Sequence, residues 1–303
     1  MSSGAPARWA AVIVNYESGD LLAECVDALR ADDSAGPVDV VVVDNGSVDG
    51  SVATLMARHT EVTVLDPHAN LGYARAANLG IAATRAAIVA VVNPDTVLAP
   101  GSARAVLDAF AADERVAIVG PHIVNPDGST YPSARIDPRP TTAAGHALLG
   151  RVWPRNRFTR AYRQLDADPT RARDVDWVSG AALWFRRSAL DAIGGWDERF
   201  FMFLEDVDVC RAVAVAGGRI RYEPDAQVMH VIGVSRAGRP VRMTVAHHRS
   251  AYAYAQKWWT GPRRLALPAA AGFLAVRGAA GATGAAVTAR RRRRRPESDK
   301  STG

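Results

Sequence analysis

The feature that most constrains the fold of this chain is an alternation of short apolar runs with helical patterns over residues 1–120. Parallel strands buried on both faces give such runs at 9–14 and at 38–43, the second interrupted only by Asp39. Strands that alternate with helices of about 10 to 15 residues predict an α/β fold with a mostly parallel, doubly wound sheet. The predicted strands are 9–14, 38–43, 61–65, 87–92 and 116–119, and the predicted helices are 21–29, 50–59, 73–86 and 102–112, the last capped by Ser102.

The rest of the chain divides into a proline-rich segment, a second ordered region and an appendage. Residues 121–175 contain seven prolines, which predicts a long, partly helical excursion and a mobile lid. From Asp176 an ordered pattern returns. We therefore divide the chain into 1–120, 121–260 and a helical C-terminal appendage at 261–303. The second region has predicted strands at 182–185 and 219–222 and predicted helices at 188–193 and 205–216.

The net charge of +6 is concentrated at the C-terminus. Arg290 to Arg295 and Lys300 give the last fourteen residues a charge of +5, so the other 289 residues carry only +1. A nearly neutral body predicts no nucleic acid partner. An arginine run that follows an apolar stretch favours attraction to an anionic membrane surface, with a solvated tail as the alternative.

Three features bear on the compartment. The apolar run before Asn15 is too short for the core of a signal peptide. Residues 265–289 could span a bilayer by length, yet their Ala and Gly content and Arg277 favour an interfacial or packed helix, with Trp258-Trp259 at an interface. Cys25 and Cys210 form no CxxC motif, so neither a disulfide framework nor a zinc site is encoded. A cytoplasmic protein with reduced thiols is expected.

Polar residues follow four of the predicted strands at their carboxyl ends. Ligands of an open parallel sheet bind beyond those ends. Asn, Asp and Gly are also ordinary turn residues, but four such ends in register favour a ligand site. The residues are Asn15, Asp44 with Asn45, Asn70, and Asn93-Pro94-Asp95.

The sequence has neither of two glycine-rich loops that commonly hold a nucleotide. No GxGxxG follows the first strand, and GxxxxGK[ST] occurs nowhere. A nucleotide held here would need a carboxylate for the base and a divalent cation for the phosphates. Asp44 can accept from an imide N–H of uracil or thymine, and Asp95 offers the hard oxygen ligands that suit Mg²⁺ or Mn²⁺.

A second carboxylate cluster, Glu205, Asp206 and Asp208, follows the aromatic run at 200–203. Acidic residues favour the first turn of a helix because they complement its dipole, and this structural role is the preferred interpretation for Asp208. Apolar walls beside a carboxylate raise its pKa and make it a usable general base, which favours Glu205-Asp206.

Several motifs follow one another in order between about residues 10 and 235. They are VIVNY, VVVDNGSVDGS, NLGYARAANLG, NPDTVL, SGAALWFRRSALDAIGGWDERFFMFLEDVDVCRAVAVAGG and MHVIGVS. Together they resemble a family 2 glycosyltransferase with the GT-A fold, and within that family the bacterial rhamnosyltransferases. The ordered series is far more specific than any one motif.

The resemblance implies roles by position. Asp44 would bind the nucleotide base, and Asp206 would be the general base. Asn93 and Asp95 fall at the family's DXD metal motif, and His230 falls where related enzymes offer a metal ligand. Since Asn93 replaces the first aspartate, Asp95 is the only charged ligand at that motif. The implied nucleotide-sugar residues also include Asn15, Asn45, Asn70, Arg75, Asn78 and Asn93, and the implied acceptor-binding residues are Arg135, Trp196 and Glu205.

The resemblance further implies an inverting transfer of L-rhamnose from dTDP-rhamnose to a polyprenyl-diphosphate-linked N-acetylglucosamine, in cell-wall polysaccharide assembly such as that of arabinogalactan. Residues 1–120 would bind the nucleotide-diphospho-sugar donor, residues 121–260 would bind the acceptor and carry out the reaction, and residues 261–303 would hold the enzyme peripherally at the cytoplasmic face of the membrane. The implied cofactor is Mn²⁺ or Mg²⁺.

Three alternatives stay open at this point. One is a family 2 transferase that uses a UDP-sugar donor. A sugar-1-phosphate nucleotidyltransferase is disfavoured because no glycine-rich phosphate loop follows Val14. A non-catalytic nucleotide-sugar-binding scaffold is disfavoured because Asp44, Asp95 and Asp206 are all present.

Overall fold

The computed structural model describes residues 8–138, 140–150, 152–231 and 240–279. The strands are β1 (Trp9–Asn15), β2 (Val38–Asp44), β3 (Thr63–Leu65), β4 (Ile88–Val92), β5 (Thr96–Leu98), β6 (Val116–Val124), β7 (Thr130–Tyr131), β8 (Ala134–Arg135), β9 (Arg173–Asp174), β10 (Trp177–Val178), β11 (Ala182–Arg186) and β12 (Arg219–His230). The helices are α1 (Leu21–Ala31), α2 (Ser51–Arg58), α3 (Tyr73–Ala82), α4 (Ser102–Ala112), α5 (Pro140–Leu149), α6 (Arg157–Tyr162), α7 (Arg187–Ile193), α8 (Glu205–Val215) and α9 (Pro240–Trp258). Short 3₁₀ helices lie at Asp33–Ala35 and Gly261–Ala266, and a further helical segment covers 267–279.

One central sheet holds most of the strands, in the order β3-β2-β1-β4-β11-β6-β12-β5. β3, β2, β1 and β4 are parallel, and β6 is parallel to β12. β11 runs antiparallel between β4 and β6, and β5 runs antiparallel to β12 at the edge. β8 and β10 form a separate small sheet. The predicted α/β class with a mostly parallel central sheet is confirmed.

The central strands are buried on both faces, which explains their unbroken apolar runs. Along β1, Val12 and Val14 face a core covered by α3, α7 and α8, whereas Ala11 and Ile13 face a second core covered by α1 and α4. Full burial of a valine or isoleucine side chain contributes about 1.5–3 kcal/mol relative to exposure. The two cores therefore fix the positions at which the parallel strands end.

Two strands extend beyond their predicted limits. β6 continues to Val124 and β12 to His230 because the two pair with each other over most of their length, with register shifts at Arg219/Ile220 and at Glu223/Gln227. Strand β6 therefore crosses residue 120, where we divided the chain. The extension carries the end of β12 to the same edge of the sheet as Asp95.

Helix α4 begins at Ser102 as predicted, but the predicted Ser102 cap is wrong. Gly101 is the N-cap residue, and Ser102 Oγ instead donates to the carbonyl of Gln227 in β12 at 3.0 Å. Asp32, from the turn after α1, accepts the first N–H groups of α4. Its Oδ1 lies 3.0 Å from Gly101 N, and its Oδ2 lies 2.8 Å from Ala103 N. A distant aspartate thus replaces the local serine.

The proline-rich segment contains small ordered elements. Helices α5 and α6 contact each other through His146 Nδ1 and Thr159 Oγ1, which are 2.9 Å apart. Strand β8 pairs with β10, so the segment is attached to the second ordered region. Its movement as a lid stays a prediction.

Helix α9, which the sequence analysis did not identify, ends just before the predicted C-terminal appendage at 261–303. The helical segment at 267–279 follows α9, and Arg277 Nη1 donates to the carbonyl of Ala147 in α5. Among the residues that the structure describes, no helix is both long and apolar enough to cross a membrane. The end of the predicted apolar stretch, 280–289, and the arginine run lie outside the described residues.

Candidate active site

A cleft of about 950 Å³ lies at the carboxyl ends of β1, β2 and β4, where ligands bind in open α/β sheets. Helix α9 forms part of its wall. Five residues predicted for the donor side line the cleft together, although they come from separate parts of the chain. They are Asn45, Asn70, Asn93, Asp95 and His230.

Asn15 and Asp44 end the neighbouring strands β1 and β2 and form a buried pair beside the cleft. Asn15 Nδ2 donates to Asp44 Oδ1 at 2.9 Å and to Ser51 Oγ at 2.9 Å, and Ser18 Oγ donates to Asn15 Oδ1. Ser47 N donates to Asp44 Oδ2 at 3.3 Å. Asn15 is fully buried and Asp44 is 6% exposed, so the Asn15 amide orients Asp44 and has no surface of its own for a ligand.

Asn45 and Asn70 shape the loop that leads into α3. Asn45 Nδ2 donates to the Gly72 carbonyl at 3.3 Å, and Asn70 Oδ1 accepts from Gly72 N at 3.0 Å. Gly72 has a φ of 84°, and a Cβ there would lie 2.7 Å from the carbonyl oxygen of Phe201, which accepts the N–H of Tyr73. Glycine is therefore required where this loop meets the aromatic run at 200–203.

Asp95 and His230 lie side by side because β5 pairs with the end of β12. His230 Nε2 is 3.1 Å from Asp95 Oδ1, and both residues are buried. His230 Nδ1 is buried with no hydrogen-bond partner among the described residues. Asn93 lines the cleft beside them. Two ligands at adjacent corners of an octahedral Mg²⁺, each about 2.1 Å from the ion, lie about 3 Å apart, and Asp95 Oδ1 and His230 Nε2 have this spacing. Nδ1 lies on the other side of the ring from Asp95 and cannot bind the same ion.

Within the described residues, no group of three His, Cys, Asp or Glu side chains is arranged to hold a metal by itself. The pair Asp95 and His230 could therefore supply only part of the ligand shell of a metal ion. Mg²⁺ commonly binds in this way, through one or two carboxylates and the phosphates of a substrate.

Asp206 lies at the start of α8 with its carboxylate held by two backbone groups. Gly180 N donates to Oδ2 at 2.9 Å, and Val207 N donates to Oδ1 at 2.9 Å. Burial raises the pKa of Asp206, and these N–H groups and the charge of Arg135 lower it only in part. The residue as a whole is half-buried and keeps some exposed surface. A carboxylate with a raised pKa that can still be reached suits a general base.

Arg135 lies near Asp206 among three aromatic rings. Its guanidinium carbon is 4.8 Å from the ring centroid of Trp177, 5.5 Å from that of Tyr131 and 5.8 Å from that of Tyr162. It also donates to the Tyr131 hydroxyl at 2.7 Å. The positive charge is thus fixed where it favours the ionised form of Asp206.

The backbone just before α8 is strained. Phe203 and Leu204 have φ values of 70° and 62°, conformations that cost residues other than glycine on the order of 1–3 kcal/mol each. Helix α9 holds this loop, since Ser250 Oγ donates to the Met202 carbonyl at 2.8 Å. Helix α9, which lines the cleft, therefore also holds in place the loop that leads into α8 and Asp206.

Tyr73 joins the cleft to Asp206, and the sequence analysis missed it. Its ring lines the cleft, and its hydroxyl donates at 3.2 Å to the carbonyl of Gly180, the residue whose N–H holds Asp206. Burial, Glu205, Asp206 and Asp95 all raise the pKa of Tyr73. The tyrosine of the NLGYARAANLG motif was the available signal, because it directly follows the loop glycine.

Arg75, Asn78 and Trp196 do not line the cleft. Asn78 Nδ2 donates to the Trp196 carbonyl and its Oδ1 accepts from Trp196 N, both at 2.9 Å. Arg75 Nε lies 3.7 Å from Glu198 Oε2. Trp196 is 2% exposed and packs on Tyr73, so its ring belongs to the core and has no surface for an acceptor. Aromatic residues beside an acidic motif are common in cores, which explains the difference.

Asp208 has a structural role, as its place in the first turn of α8 indicated. It is 1% exposed and lies 2.7 Å from Lys257 Nζ and 2.7 Å from Trp258 Nε1, both at the end of α9. Trp258 packs against the core but stays partly exposed, as does Trp259, so the expectation that this pair stands at a membrane interface stays a prediction.

Similarity to solved structures shows that the fold is that of the GT-A glycosyltransferases. The mannosyltransferase PcManGT from Pyrobaculum calidifontis, solved with GDP-Man and Mn²⁺, matches with a TM-score of 0.57 and 21% identity, over 93% of this chain and 80% of that chain. TarS 1-349 from S. aureus matches with a TM-score of 0.53 and 15% identity, over 81% and 64% of the two chains.

The chain belongs to the family described as glycosyltransferase like family 2, whose sequence model matches residues 6–252. It is 40% identical over 271 residues to the N-acetylglucosaminyl-diphospho-decaprenol L-rhamnosyltransferase of Mycobacterium tuberculosis, which covers 84% of this chain and 88% of that protein. The predicted resemblance, the GT-A fold and the glycosyltransferase class are confirmed.

Proposed function

We propose that this protein transfers L-rhamnose from dTDP-rhamnose, with inversion, to a hydroxyl of a polyprenyl-diphosphate-linked N-acetylglucosamine. The name of the 40% identical relative supports the sugar and the acceptor. The observation that carries the proposal is the link through Tyr73 and Gly180 between Asp206 and the cleft that holds Asp95 and His230. A base and a leaving-group site that are adjacent but separate are what a single displacement requires.

Asp206 acts as the general base in this proposal. The acceptor hydroxyl attacks the anomeric carbon, its proton passes to an oxygen of Asp206, and the bond from the anomeric carbon to the nucleoside diphosphate breaks with its electron pair on the departing phosphate oxygen. Each Asp206 oxygen accepts one backbone hydrogen bond, which leaves lone pairs for the hydroxyl. Since the attack comes from the face opposite the leaving group, the anomeric configuration inverts.

The donor occupies the strand-end wall of the cleft, which is the side lined by Asn45, Asn93, Asp95 and His230. Asp44, oriented by Asn15, accepts from the imide N–H of the base. Asp95 and His230, with Asn93 beside them, would hold Mn²⁺ or Mg²⁺, for which the 3.1 Å separation of Asp95 Oδ1 and His230 Nε2 is the supporting observation. The ion when bound supplies positive charge that stabilises the departing diphosphate.

We infer further that the enzyme works peripherally at the cytoplasmic face of the membrane, where an isoprenoid-linked acceptor would reside. Two segments that meet at the Arg277–Ala147 hydrogen bond expose large apolar side chains. Trp153 is 61% exposed after α5, and Val276 is 72% exposed in the segment at 267–279. Exposed apolar groups together with a basic tail favour association with an anionic bilayer.

Two variants test the assignment of base and donor sites in one experiment. Asp206→Asn should lower transfer by roughly 10²–10⁴ because the base is lost, while metal-dependent binding of dTDP survives. Asp95→Ala should remove the dependence of dTDP binding on Mn²⁺. Transfer is measured with a panel of dTDP- and UDP-sugars and one lipid-linked acceptor, and binding is measured by calorimetry with and without Mn²⁺.

Asp208→Asn is the matched control for the base, since Asp208 lies on the same helix but bonds to Lys257 and Trp258. Retention of more than about a tenth of wild-type turnover in Asp206→Asn would remove Asp206 as the base. Turnover only with a UDP-sugar would overturn the proposed donor, and unchanged metal dependence in Asp95→Ala would overturn the metal site.

A further inference from the structure

Helix α9 brings two arginines to the cleft that the donor assignment does not use. Arg242 and Arg249 both line the cleft and are exposed. They are seven residues apart, about two helical turns, so they lie on one face of α9 at a spacing of roughly 10 Å. The strand-end wall, with Asp95 and His230, is built from different elements.

The charges that line the cleft are unbalanced. Arg199 is paired with Asp197 at 2.6 Å. Neither Arg242 nor Arg249 has a carboxylate within 4.0 Å among the described residues, and Asp95 is the carboxylate among the lining residues. Two unpaired guanidinium groups beside a cleft favour an anionic ligand, and Arg suits phosphate because its N–H groups can bond two oxygens at once.

Apolar side chains accompany the two arginines. Val245 of α9 is 40% exposed and Phe201 is 48% exposed, and both line the cleft together with Met243. A wall that presents cations beside an exposed apolar strip matches a ligand that joins a phosphate group to a hydrocarbon chain. A nucleoside diphosphate has no such hydrocarbon part.

We propose that Arg242 and Arg249 bind the diphosphate of an isoprenoid diphosphate, with Phe201, Met243 and Val245 against the first isoprene units. This rests on the proposed function, and it gives the acceptor diphosphate cations of its own. A second diphosphate placed next to that of the donor would otherwise meet like-charge repulsion. The arginines therefore bind the carrier part of the acceptor, while Asp206 engages the hydroxyl of its sugar.

Binding of farnesyl diphosphate to the full chain, measured by calorimetry, tests this directly. The double variant Arg242→Gln/Arg249→Gln should weaken farnesyl diphosphate binding by about tenfold for each arginine, as for a lost hydrogen bond to a charged group. Farnesol should bind more weakly than farnesyl diphosphate to the wild type, and this difference should disappear in the double variant. Arg104→Gln on α4, an exposed helical arginine outside the cleft, is the matched control.

A transfer assay completes the test. For the double variant, the KM should rise more for a prenyl-diphosphate-linked N-acetylglucosamine than for a neutral alkyl N-acetylglucosaminide. Unchanged farnesyl diphosphate binding would overturn the inference while wild-type transfer still supports the proposed function. Weaker dTDP binding with farnesyl diphosphate unaffected would assign the arginines to the donor. If the double variant loses farnesyl diphosphate binding but the wild type transfers no sugar, the proposed function is overturned and the inference about the two arginines stands.

Discussion

The balance between burial and charge at Asp206 decides whether this carboxylate can act as a base. Burial raises its pKa, and the guanidinium of Arg135 opposes that rise from a position fixed by aromatic rings. Too low a pKa makes a weak base, and too high a pKa leaves the group protonated at the working pH. We therefore expect Arg135 to be a positioning residue whose charge, together with the N–H groups of Gly180 and Val207, lowers the pH at which Asp206 ionises.

Replacing Arg135 should move the pH dependence of the reaction. In Arg135→Met the cation is gone, so the pKa of Asp206 rises further and the acidic limb of the kcat profile moves to higher pH. The rate at a fixed acidic pH then falls more than the rate on the plateau. The profile is measured with one acceptor over the acidic range.

Arg160→Met serves as the comparison for that profile, because Arg160 is exposed and bonds to Asp166 at 2.7 Å. An acidic limb that stays in place in Arg135→Met, with only the plateau lowered, would show that Arg135 does not act on the ionisation of the base.

The sequence predicted the cleft residues at the ends of strands better than the cleft residues on helices. Asn45, Asn70 and Asp95 were found because the end of a parallel strand is a position that a local pattern reveals. Tyr73 and Arg249 were missed because their places depend on how two distant helices pack. Side chains of a helix reach a site only through tertiary packing, which no local pattern encodes.

At the scale of elements, the attachment of α4 to the turn after α1 depends on one carboxylate. Asp32 is buried and accepts from Gly101 N and Ala103 N, and Ser34 Oγ also donates to it. Burial would raise the pKa of Asp32, but these hydrogen bonds outweigh it and hold the pKa below its ordinary value. The folded structure therefore stabilises the ionised form of Asp32 relative to its protonated form, more than the unfolded chain does.

Asp32→Ala should lower the free energy of unfolding by about 1–3 kcal/mol at neutral pH, since a buried cap that carries charge is lost. The part due to ionisation is fully present above the ordinary aspartate pKa of about 4, and it disappears as the pH falls through the lower pKa of the folded state. The difference between wild type and variant should thus shrink in acid. Urea unfolding over a pH series measures it.

The exposed neighbour Asp33, in the same turn, provides the control variant Asp33→Ala. A loss as large in this variant, or a difference for Asp32→Ala that does not change with pH, would contradict the charged cap.

Element types were easier to predict from the sequence than strand directions and lengths. The run at 182–185 was correctly predicted to be a strand. A strand buried on both faces has the same apolar pattern whether it is parallel or antiparallel to its neighbours, so the sequence did not predict that β11 is antiparallel to β4. The lengths of β6 and β12 follow from their mutual pairing, which is a long-range property.

At the scale of the whole molecule, the C-terminal part should act on membranes through two separable contributions. Deleting 290–303 removes a charge of +5, so binding to anionic vesicles should fall and lose its salt sensitivity, because surface attraction decays within a Debye length of about 8 Å. Val276→Ser should instead weaken binding to anionic and neutral vesicles alike. Sedimentation with both vesicle types measures the two effects.

Val215→Ser controls for the loss of an exposed valine, since Val215 is 72% exposed at the end of α8. Equal binding of the full chain and the truncated chain to both vesicle types would leave the tail as a solvated extension.

The position of β11 between β4 and β6 has a consequence for the order in which the chain assembles. Until residues 182–186 have left the ribosome, the edge of β4 that faces β11 has no partner, and β6 lacks both β11 and the later strand β12, although both strands are strongly apolar. Open apolar strand edges readily pair with other chains. Pairing of β6 with β11 also closes the long segment between Val124 and Ala182, and closing a long loop slows folding. The emerging chain therefore passes through a stage in which it is prone to pair with other chains. Entry of β11 closes the edge of β4, and the last edge of β6 closes only when β12 pairs with it.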